Sequence, residues 1–334
     1  MTLYNRLSNL ESTDLLNNSK EDRLTLSFYK YFKIDNLVIF RNYLFSSFKE
    51  TGVLGRIYVA NEGINAQLSL PKKQLSSFEA KLDEIETLKG IRLNFAIKHH
   101  LKSFLKLKIK VRNQIVVDGI SNNKFDSTNV GKHVGAIEFN NILSEKETAC
   151  VDMRNHYESE IGHFIGAITP NVDSFKESIK FIDKKFKNEN KKKKILLYCT
   201  GGIRCEKASA YLKFKGFKNV YQLDGGIINY THQVKKNNYK NKFIGKNFVF
   251  DNRLSENITN DVISNCHQCG TKSDDHVNCS NVACNLLFIQ CKSCNELFEG
   301  CCSIECQKIN NLSSEKQKSL RKGEKARKRI FKKN

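Results

Sequence analysis

The stretch Ile195-Leu-Leu-Tyr-Cys-Thr-Gly-Gly-Ile-Arg204 decides the fold of the central part of this chain. Its apolar start predicts a buried strand, and residues 205–215 have helical spacing that stops at Gly216. Cys199 therefore follows the carboxyl end of a strand, in a glycine-containing turn, against the N-terminus of a helix. Backbone amides, the helix dipole and Arg204 all favour negative charge there, so we expect Cys199 to be a thiolate nucleophile.

The spacing within this turn narrows the chemistry. Four residues separate Cys199 from Arg204, as in rhodanese-type sulfur-carrying loops, whereas protein-phosphatase loops place five residues there. The spacing therefore disfavours a phosphatase. The alternative to a catalytic role for Cys199 is that of a buried structural cysteine at a strand end. The predicted active-site loop consists of Cys199, Thr200, Gly201, Gly202, Ile203, Arg204 and Cys205.

Length, charge and cysteine content limit the class of protein. A chain of 334 residues is long enough for two or three domains. It contains no run of about 18 apolar residues and no signal-peptide pattern, so we expect a cytoplasmic protein without a membrane partner. Twelve cysteines in such a chain indicate metal or redox chemistry. The net charge of +21 indicates a nucleic-acid partner, although part of the lysine content is also typical of an AT-biased genome.

Residues 24–100 have the pattern of a ferredoxin-like α+β domain, after an N-terminal extension at 1–23. Hydrophobic periodicity predicts strands at 24–34, 57–60, 64–70 and 91–97, with helices between Asp35 and Gly52 and near 72–86. The resulting order is β-α-β-β-α-β.

Residues 101–142 are interpreted as a basic strand followed by a linker. The segment 104–112 alternates strictly, with Leu105, Leu107, Ile109 and Val111 on one face. The opposite face could follow a phosphate backbone at intervals of ~6.6 Å, or it could be an ordinary solvated strand face. This basic stripe consists of Lys106, Lys108, Lys110 and Arg112.

Residues 143–240 change to short buried strands alternating with helices, which is typical of a parallel α/β sheet. Strands are predicted at 150–154, 195–198 and 220–223, and a helix runs from Asp173 or Ser174 to Phe186. Ligands bind at the carboxyl ends of such strands, where Cys199 lies. A linker is predicted at 241–265.

Several motifs together carry a family resemblance. Val151-Asp-Met-Arg-Asn155, Glu158, Gly162-His-Phe-Ile-Gly-Ala167, the active-site loop and Leu223-Asp-Gly-Gly-Ile227 follow the order of a rhodanese domain. With Ala60-Asn-Glu-Gly-Ile-Asn65, the loop extended to Ser209 and a C-terminal cysteine array, the chain resembles the bacterial rhodanese-like tRNA uridine 5-hydroxylases over about residues 24–306. The resemblance implies that Cys199 is catalytic and that the substrate is the wobble uridine in the tRNA anticodon region. It also implies 5-hydroxyuridine as the product, with molecular oxygen and a hydrogen donor as co-reactants.

The resemblance leaves several roles open. Asp152, Arg154 and His163 match positions that shape the rhodanese core, by ion pairing within the fold or by supporting catalysis. Cys205, interpreted as the first helical residue, either resolves an oxidised Cys199 or caps the helix. Cys199 acts by direct attack on uracil C6, with no metal or flavin, or as a persulfide. The alternative functions are a sulfurtransferase and a noncatalytic RNA-binding protein.

Residues 266–306 contain nine cysteines, including two C-x2-C pairs that are typical of zinc knuckles. We expect a zinc module, in which His267 or His276 could replace a cysteine; the alternative is free cysteines or disulfides. One predicted assignment joins Cys266 and Cys269 with Cys291 and Cys294, and Cys279 and Cys284 with Cys302 and Cys306.

Residues 307–334 form a basic tail. Ten lysines and arginines against two glutamates fall between 315 and 334, which indicates nonspecific phosphate binding or a solvated terminus. The predicted RNA contacts in the tail are Arg321, Lys322, Arg327, Lys328 and Arg329.

Overall fold

A computed structural model describes residues 3–5, 7–19, 21–121, 124–322 and 331 of the chain. The strands are β1 (Arg23–Tyr31), β2 (Leu54–Ala60), β3 (Gly63–Pro71), β4 (Asn94–Phe95), β5 (Leu107–Val111), β6 (Lys132–Val134), β7 (Ala149–Asp152), β8 (Gly162–Phe164), β9 (Lys194–Tyr198), β10 (Asn219–Leu223), β11 (Phe243–Phe248), β12 (Ser255–Asn257), β13 (His276–Asn278) and β14 (Leu287–Ile289). The helices are α1 (Asn9–Asn18), α2 (Leu37–Glu50), α3 (Leu75–Asp83), α4 (Ala136–Ser144), α5 (His156–Ser159), α6 (Phe175–Lys185), α7 (Ile203–Phe214), α8 (Gly226–Asn237), α9 (Lys292–Phe298), α10 (Ile304–Asn310) and α11 (Ser314–Arg321). None of these described helices has the length and apolarity needed to cross a membrane.

The N-terminal domain is a five-stranded sheet covered on one face by α2 and α3. Its strand order is β4-β1-β3-β2-β5, and the first four strands have the ferredoxin-like order expected from the sequence. Phe28, Phe48 and Phe78 pack together between sheet and helices. The strand predicted at 91–97 is only two residues long, and α3 is shorter than the helix predicted there. The predicted N-terminal extension contains α1.

The basic strand belongs to this sheet rather than to a separate segment. β5 pairs in parallel with β2 and forms the edge of the sheet. Leu107 and Ile109 are buried, as their alternation predicts, but Val111 is 42% exposed because it ends the edge strand. In the basic stripe, Lys106 is half-buried and the other three residues are exposed.

The central domain contains the predicted parallel sheet, with strand order β6-β10-β9-β7. Helices α6 and α7 cover one face, and α4 and α8 cover the other. The assignment of 132–142 to the linker is wrong, since β6 pairs with β10 and α4 contributes Phe139 to the core. β6 has only three residues, too few for a recognisable alternation.

Residues 241–265 are also not a linker. β11 pairs antiparallel with β8 and with β12, which makes a second, three-stranded sheet. β11 contains a glycine and a lysine, so its apolar period is interrupted.

The C-terminal module consists of the β13–β14 pair, α9 and α10. Leu287 and Ile289 of β14 pack on Tyr157 and Phe248 of the central domain. In the basic tail, α11 contains Arg321 and is followed by Lys322, and the ring of Phe331 stacks on Tyr157 with centroids 4.0 Å apart. Three predicted RNA contacts lie outside the described residues: Arg327, Lys328 and Arg329.

Candidate active site between two domains

The loop that contains Cys199 is built by a strand, a glycine turn and a helix. β9 is an inner strand of the parallel sheet, between β10 and β7, and Cys199 follows it directly. Gly202 has φ +104° and is the residue before α7, so the helix begins at Ile203, two residues earlier than predicted. The backbone of Gly226 (φ +65°) packs directly against the loop. Only glycine fits there, since a Cβ would lie 2.5 Å from the carbonyl oxygen of Cys199.

The environment of Cys199 favours a thiolate. The backbone N–H of Gly202 donates to Sγ over 3.1 Å. Burial alone would raise the pKa of Cys199, but hydrogen bonds from the Cys205 thiol and from the Arg204 and Cys205 amides, with the Arg204 charge, lower it to about 6. The thiolate predicted from the helix N-terminus is thus consistent with the geometry and with the lowered pKa of Cys199.

Cys205 lies in the first turn of α7, as its third residue, rather than at the first helical position. Burial, followed by its hydrogen bond to Cys199, raises the pKa of Cys205, so this thiol stays protonated and donates to the thiolate. The alternative that Cys205 caps the helix is wrong, because the capping position is Gly202 and no side chain bonds there. Its role in resolving an oxidised Cys199 stays a prediction.

Arg204 is held by a buried carboxylate. Its two terminal nitrogens donate to Glu158 over 2.6 and 2.7 Å, and Glu158 is fully buried on α5. Arg204 therefore acts on Cys199 through its charge, while its guanidinium is already engaged in a bidentate pair. The motif that carries the family resemblance contained Glu158, but nothing in the sequence paired it with Arg204.

Asp152 and Arg154 lie in the core beneath the loop, and His163 on β8 is half-buried. Arg154 donates to Asp152 over 2.6 Å and to the carbonyl of Gly162 over 2.6 Å, and both side chains of the pair are fully buried. His163 bonds the carbonyl of Ser159 over 3.0 Å. These contacts join β7, α5 and β8. They are the ion pairing within the fold that was one of the two roles expected for these residues.

A cavity of about 340 Å³ between the N-terminal and central domains ends at the active-site loop. Cys199 is only 1% exposed, so a large ligand reaches it by inserting a small group into this cavity. The first domain contributes aromatic and amide side chains, and Phe250 closes the side next to Arg204. Residues that line it include Ser27, Tyr29, Arg56, Tyr58, Asn65, Gln67, Cys199, Thr200, Gly201, Ile203, Arg204, Ile228 and Phe250.

A second cavity, of about 590 Å³, adjoins the first. Both are lined by Arg56 and Phe250, and the second is also lined by Lys106 and Lys108 of the basic stripe. The stripe therefore begins at the opening that leads towards Cys199, a placement that the alternating pattern alone did not predict.

Charged residues from both domains hold the loop and the first sheet together. Lys207 on α7 is 1% exposed and donates to Glu62 over 2.8 Å and to Asp118 over 2.6 Å. The Tyr29 hydroxyl donates to Glu206 over 2.9 Å. Sequence reasoning missed this interdomain cluster, although Glu62 and Lys207 lie in two of the three motifs that carry the resemblance and have opposite charge.

The eight predicted metal ligands form two groups in the C-terminal module. Cys266, Cys269, Cys291 and Cys294 have their sulfurs within 4.8 Å of one another, and so do Cys279, Cys284, Cys302 and Cys306. The groups are those assigned from the spacing. Neither group includes His267, which bonds Glu160 over 2.8 Å, or the buried His276.

Comparisons with known families match three separate segments of the chain. Three family profiles match: "UPF0176 acylphosphatase like domain" at residues 23–115, "Rhodanese-like domain" at 136–233 and "Rhodanase C-terminal" at 244–307. A solved rhodanese-like domain from Anabaena is 21% identical, covers 34% of this chain and 78% of that chain, and has a TM-score of 0.27. The three profile matches make the chain a rhodanese-like protein with an acylphosphatase-like N-terminal domain.

Full-length relatives identify the family within this class. A protein of Leptospira interrogans named tRNA uridine(34) hydroxylase is 50% identical over 98% of this chain and 90% of its own length. Proteins of the same name from Photorhabdus laumondii and Yersinia enterocolitica are 46% and 48% identical over 99% of this chain, and over 94% and 95% of their own lengths. The chain belongs to the tRNA uridine(34) hydroxylase family.

Proposed function

We propose that this protein hydroxylates C5 of the wobble uridine of tRNA, with molecular oxygen as oxidant and Cys199 as nucleophile. The observation that carries the proposal is the position of Cys199, whose pKa the loop lowers, at the end of a small cavity, within a chain of this family. Its substrate is a polyanion, in agreement with the net charge of +21. A tRNA substrate also supports a cytoplasmic location.

The size and lining of the cavity suit one nucleobase. Enzymes that modify a base insert it alone into a pocket, and the bases of an anticodon loop are single-stranded and cost little to unstack. Tyr29, Tyr58 and Phe250 supply aromatic surface for stacking. Gln67, whose side chain makes no hydrogen bond with another described residue, and Asn65 supply amide groups for the uracil edge.

The proposed reaction begins with attack of the Cys199 thiolate on uracil C6. The new Sγ–C6 bond leaves a carbanion at C5, delocalised onto O4, which adds to oxygen to give a C5 hydroperoxide after protonation. A hydrogen donor supplies two electrons and two protons, which cleave the O–O bond and release one oxygen atom as water. Loss of the C5 proton and of the Sγ–C6 bond then restores the double bond and the thiolate. Because Arg204 is paired with Glu158, the cavity amides are better placed than Arg204 to stabilise the charge at O4.

The tRNA backbone is proposed to follow the basic stripe into the cavity. Lys106 and Lys108 line the opening beside Arg56, and Lys110 and Arg112 continue along the exposed edge strand. Contacts with phosphates position the anticodon arm without reading its sequence. Phe331 of the basic tail also lines this opening.

The experiment is a hydroxylation assay with purified protein, unmodified tRNA, a thiol reductant and ¹⁸O₂, followed by nucleoside mass spectrometry. We expect ¹⁸O in 5-hydroxyuridine with the native chain and none with Cys199→Ser. Cys150→Ser, a buried cysteine elsewhere in the sheet, is the matched control and keeps activity. Full activity of Cys199→Ser contradicts both the direct attack and a persulfide on Cys199. Transfer of sulfur from thiosulfate to cyanide without hydroxylation would instead identify a sulfurtransferase.

A further inference from the structure

We propose that the C-terminal module binds two zinc ions, each through four cysteine thiolates. Site 1 consists of Cys266, Cys269, Cys291 and Cys294, and site 2 consists of Cys279, Cys284, Cys302 and Cys306. This inference does not depend on the hydroxylase proposal, because it concerns a part of the chain that does not line the Cys199 cavity.

The distances between sulfurs fit a single tetrahedral ion. With Zn–S bonds of about 2.3 Å, the sulfurs of a tetrahedral site lie about 3.8 Å apart. Cys269 and Cys291 in site 1, and Cys302 with both Cys284 and Cys306 in site 2, have Sγ atoms 3.6 Å apart. These separations are far longer than a disulfide bond of about 2.05 Å. Four sulfurs and no oxygen or nitrogen ligand favour zinc over harder divalent cations.

The local backbone of site 1 brings its ligands together in two similar turns. Between Cys266 and Cys269 the chain reverses, with the Gly270 N–H bonded to the Cys266 carbonyl over 2.9 Å and Gly270 at φ +77°. On the other side, Cys291 is the capping residue of α9 and Cys294 lies in its first turn. Each C-x2-C pair therefore presents two sulfurs from one tight turn, the geometry of a zinc knuckle.

Hydrogen bonds to sulfur support site 2. The Cys302 N–H donates to Cys279 Sγ over 3.4 Å, and the Asn281 amide donates to Cys306 Sγ over 3.5 Å. Donors of this kind stabilise the charge on zinc-bound thiolates and orient the ligands.

The module lacks an apolar core large enough to hold these cysteines in place. Around site 2 the buried residues are Phe288 and the cysteines themselves, with Val277 and Leu286 half-buried beside them. A segment of about forty residues with so little apolar burial usually needs metals or disulfides to fold. Sulfurs 3.6 Å apart are too far from one another for disulfide bonds at these pairs, so metal binding is the source of stability that fits the geometry.

The two sites also stabilise a surface that touches the active site. Leu287 and Ile289 lie between the two sites in sequence and pack on Tyr157, whose neighbour Glu158 holds Arg204. His267, next to a site 1 ligand, bonds Glu160 on the same side of the central domain. Loss of zinc should therefore loosen residues 156–161 as well as the module.

The test is metal analysis of the full chain, expressed with added zinc and purified under reducing conditions without chelator. We expect two zinc ions per chain by inductively coupled plasma mass spectrometry, and one or none for Cys291→Ser and for Cys302→Ser. The matched control is Cys301→Ser, because Cys301 is fully buried in the same module but belongs to neither site; it should keep both ions.

A second measurement covers variants that fail to fold. Native chain produced with cobalt in place of zinc should show the absorption of tetrahedral cobalt–thiolate sites, and hydrogen exchange of 156–161 should be faster in Cys302→Ser than in Cys301→Ser. A native chain without zinc or cobalt, stoichiometric iron instead of zinc, or equal metal loss in Cys301→Ser would overturn the proposal.

Discussion

Removing the Cys205 thiol tests how the loop ionises Cys199. Among the groups that lower the pKa of Cys199, the Cys205 side chain is the first, ahead of the Arg204 charge and the loop amides. Cys205→Ala deletes this donor and leaves the amides and Arg204 in place. The thiolate then loses one of its hydrogen bonds within a buried site.

The expected size of the effect follows from the two pKa values. The difference between 9.0 and about 6 corresponds to about 4 kcal/mol in favour of the thiolate. A hydrogen bond to a charged acceptor contributes about 1.5–3 kcal/mol, so its loss should raise the pKa of Cys199 to between about 7 and 8. At pH 7 the ionised fraction falls from about nine-tenths to about one-quarter, and alkylation slows roughly fourfold.

The assay is the pH dependence of iodoacetamide alkylation, read for the peptide that contains Cys199 by mass spectrometry. The native chain should lose reactivity as the pH falls through about 6, and the Cys205→Ala chain should lose it at higher pH. Above about pH 9 both chains are ionised and should react alike. Cys205→Ser is the matched control, because its hydroxyl still donates and should keep most of the lowered pKa.

An unchanged alkylation profile in Cys205→Ala would refute this reasoning. A native profile centred near about 8.5, the value of an unperturbed cysteine, would refute it more generally, because the loop would then not stabilise the thiolate at all.

Three further predictions concern the interface, the loop and the RNA path. Lys207→Met leaves two carboxylates at the interface without their cation and should lower the free energy of unfolding by about 3–5 kcal/mol. Thermal unfolding should then occur at a lower temperature, whereas Lys218→Met, at an exposed position, should leave the unfolding temperature unchanged. Gly226→Ala places a methyl group 2.5 Å from the Cys199 carbonyl and should lower kcat about a hundredfold, while Gly216→Ala, with similar φ but open space, should not. Replacing the four basic residues of the stripe with glutamine should weaken the salt dependence of tRNA binding. The slope of log affinity against log salt concentration should fall in magnitude by about 0.7–0.9 for each phosphate contact that is lost. An unchanged slope would exclude the stripe from the interface.

The parts of the fold that the sequence predicts correctly have local signals. The buried run before Cys199, the glycines after it and the helical spacing beyond together define the strand, turn and helix without any tertiary information. The β-α-β-β-α-β order of the first domain is equally visible, since each element repeats its own apolar period. The sulfurs of both predicted groups of four also lie together, because the two cysteines of each sequence pair are only three to five positions apart; metal binding by these groups stays a prediction.

The parts that sequence reasoning missed depend on contacts between distant residues. Lys207 and Glu62 are 145 residues apart, and neither position has a pattern that names its partner. β6, which is short, and β11, whose apolar period is interrupted, take their conformation from neighbouring strands rather than from their own periodicity. The cavity exists only because two domains pack together, so its lining could not be derived from either motif alone.

The most direct test of the central claim is nucleoside analysis of tRNA from cells that lack this protein and are complemented with either the native chain or Cys199→Ser. We predict that 5-hydroxyuridine and its derivatives disappear without the protein, return with the native chain and stay absent with Cys199→Ser. Return of the modified nucleosides with Cys199→Ser would contradict the account.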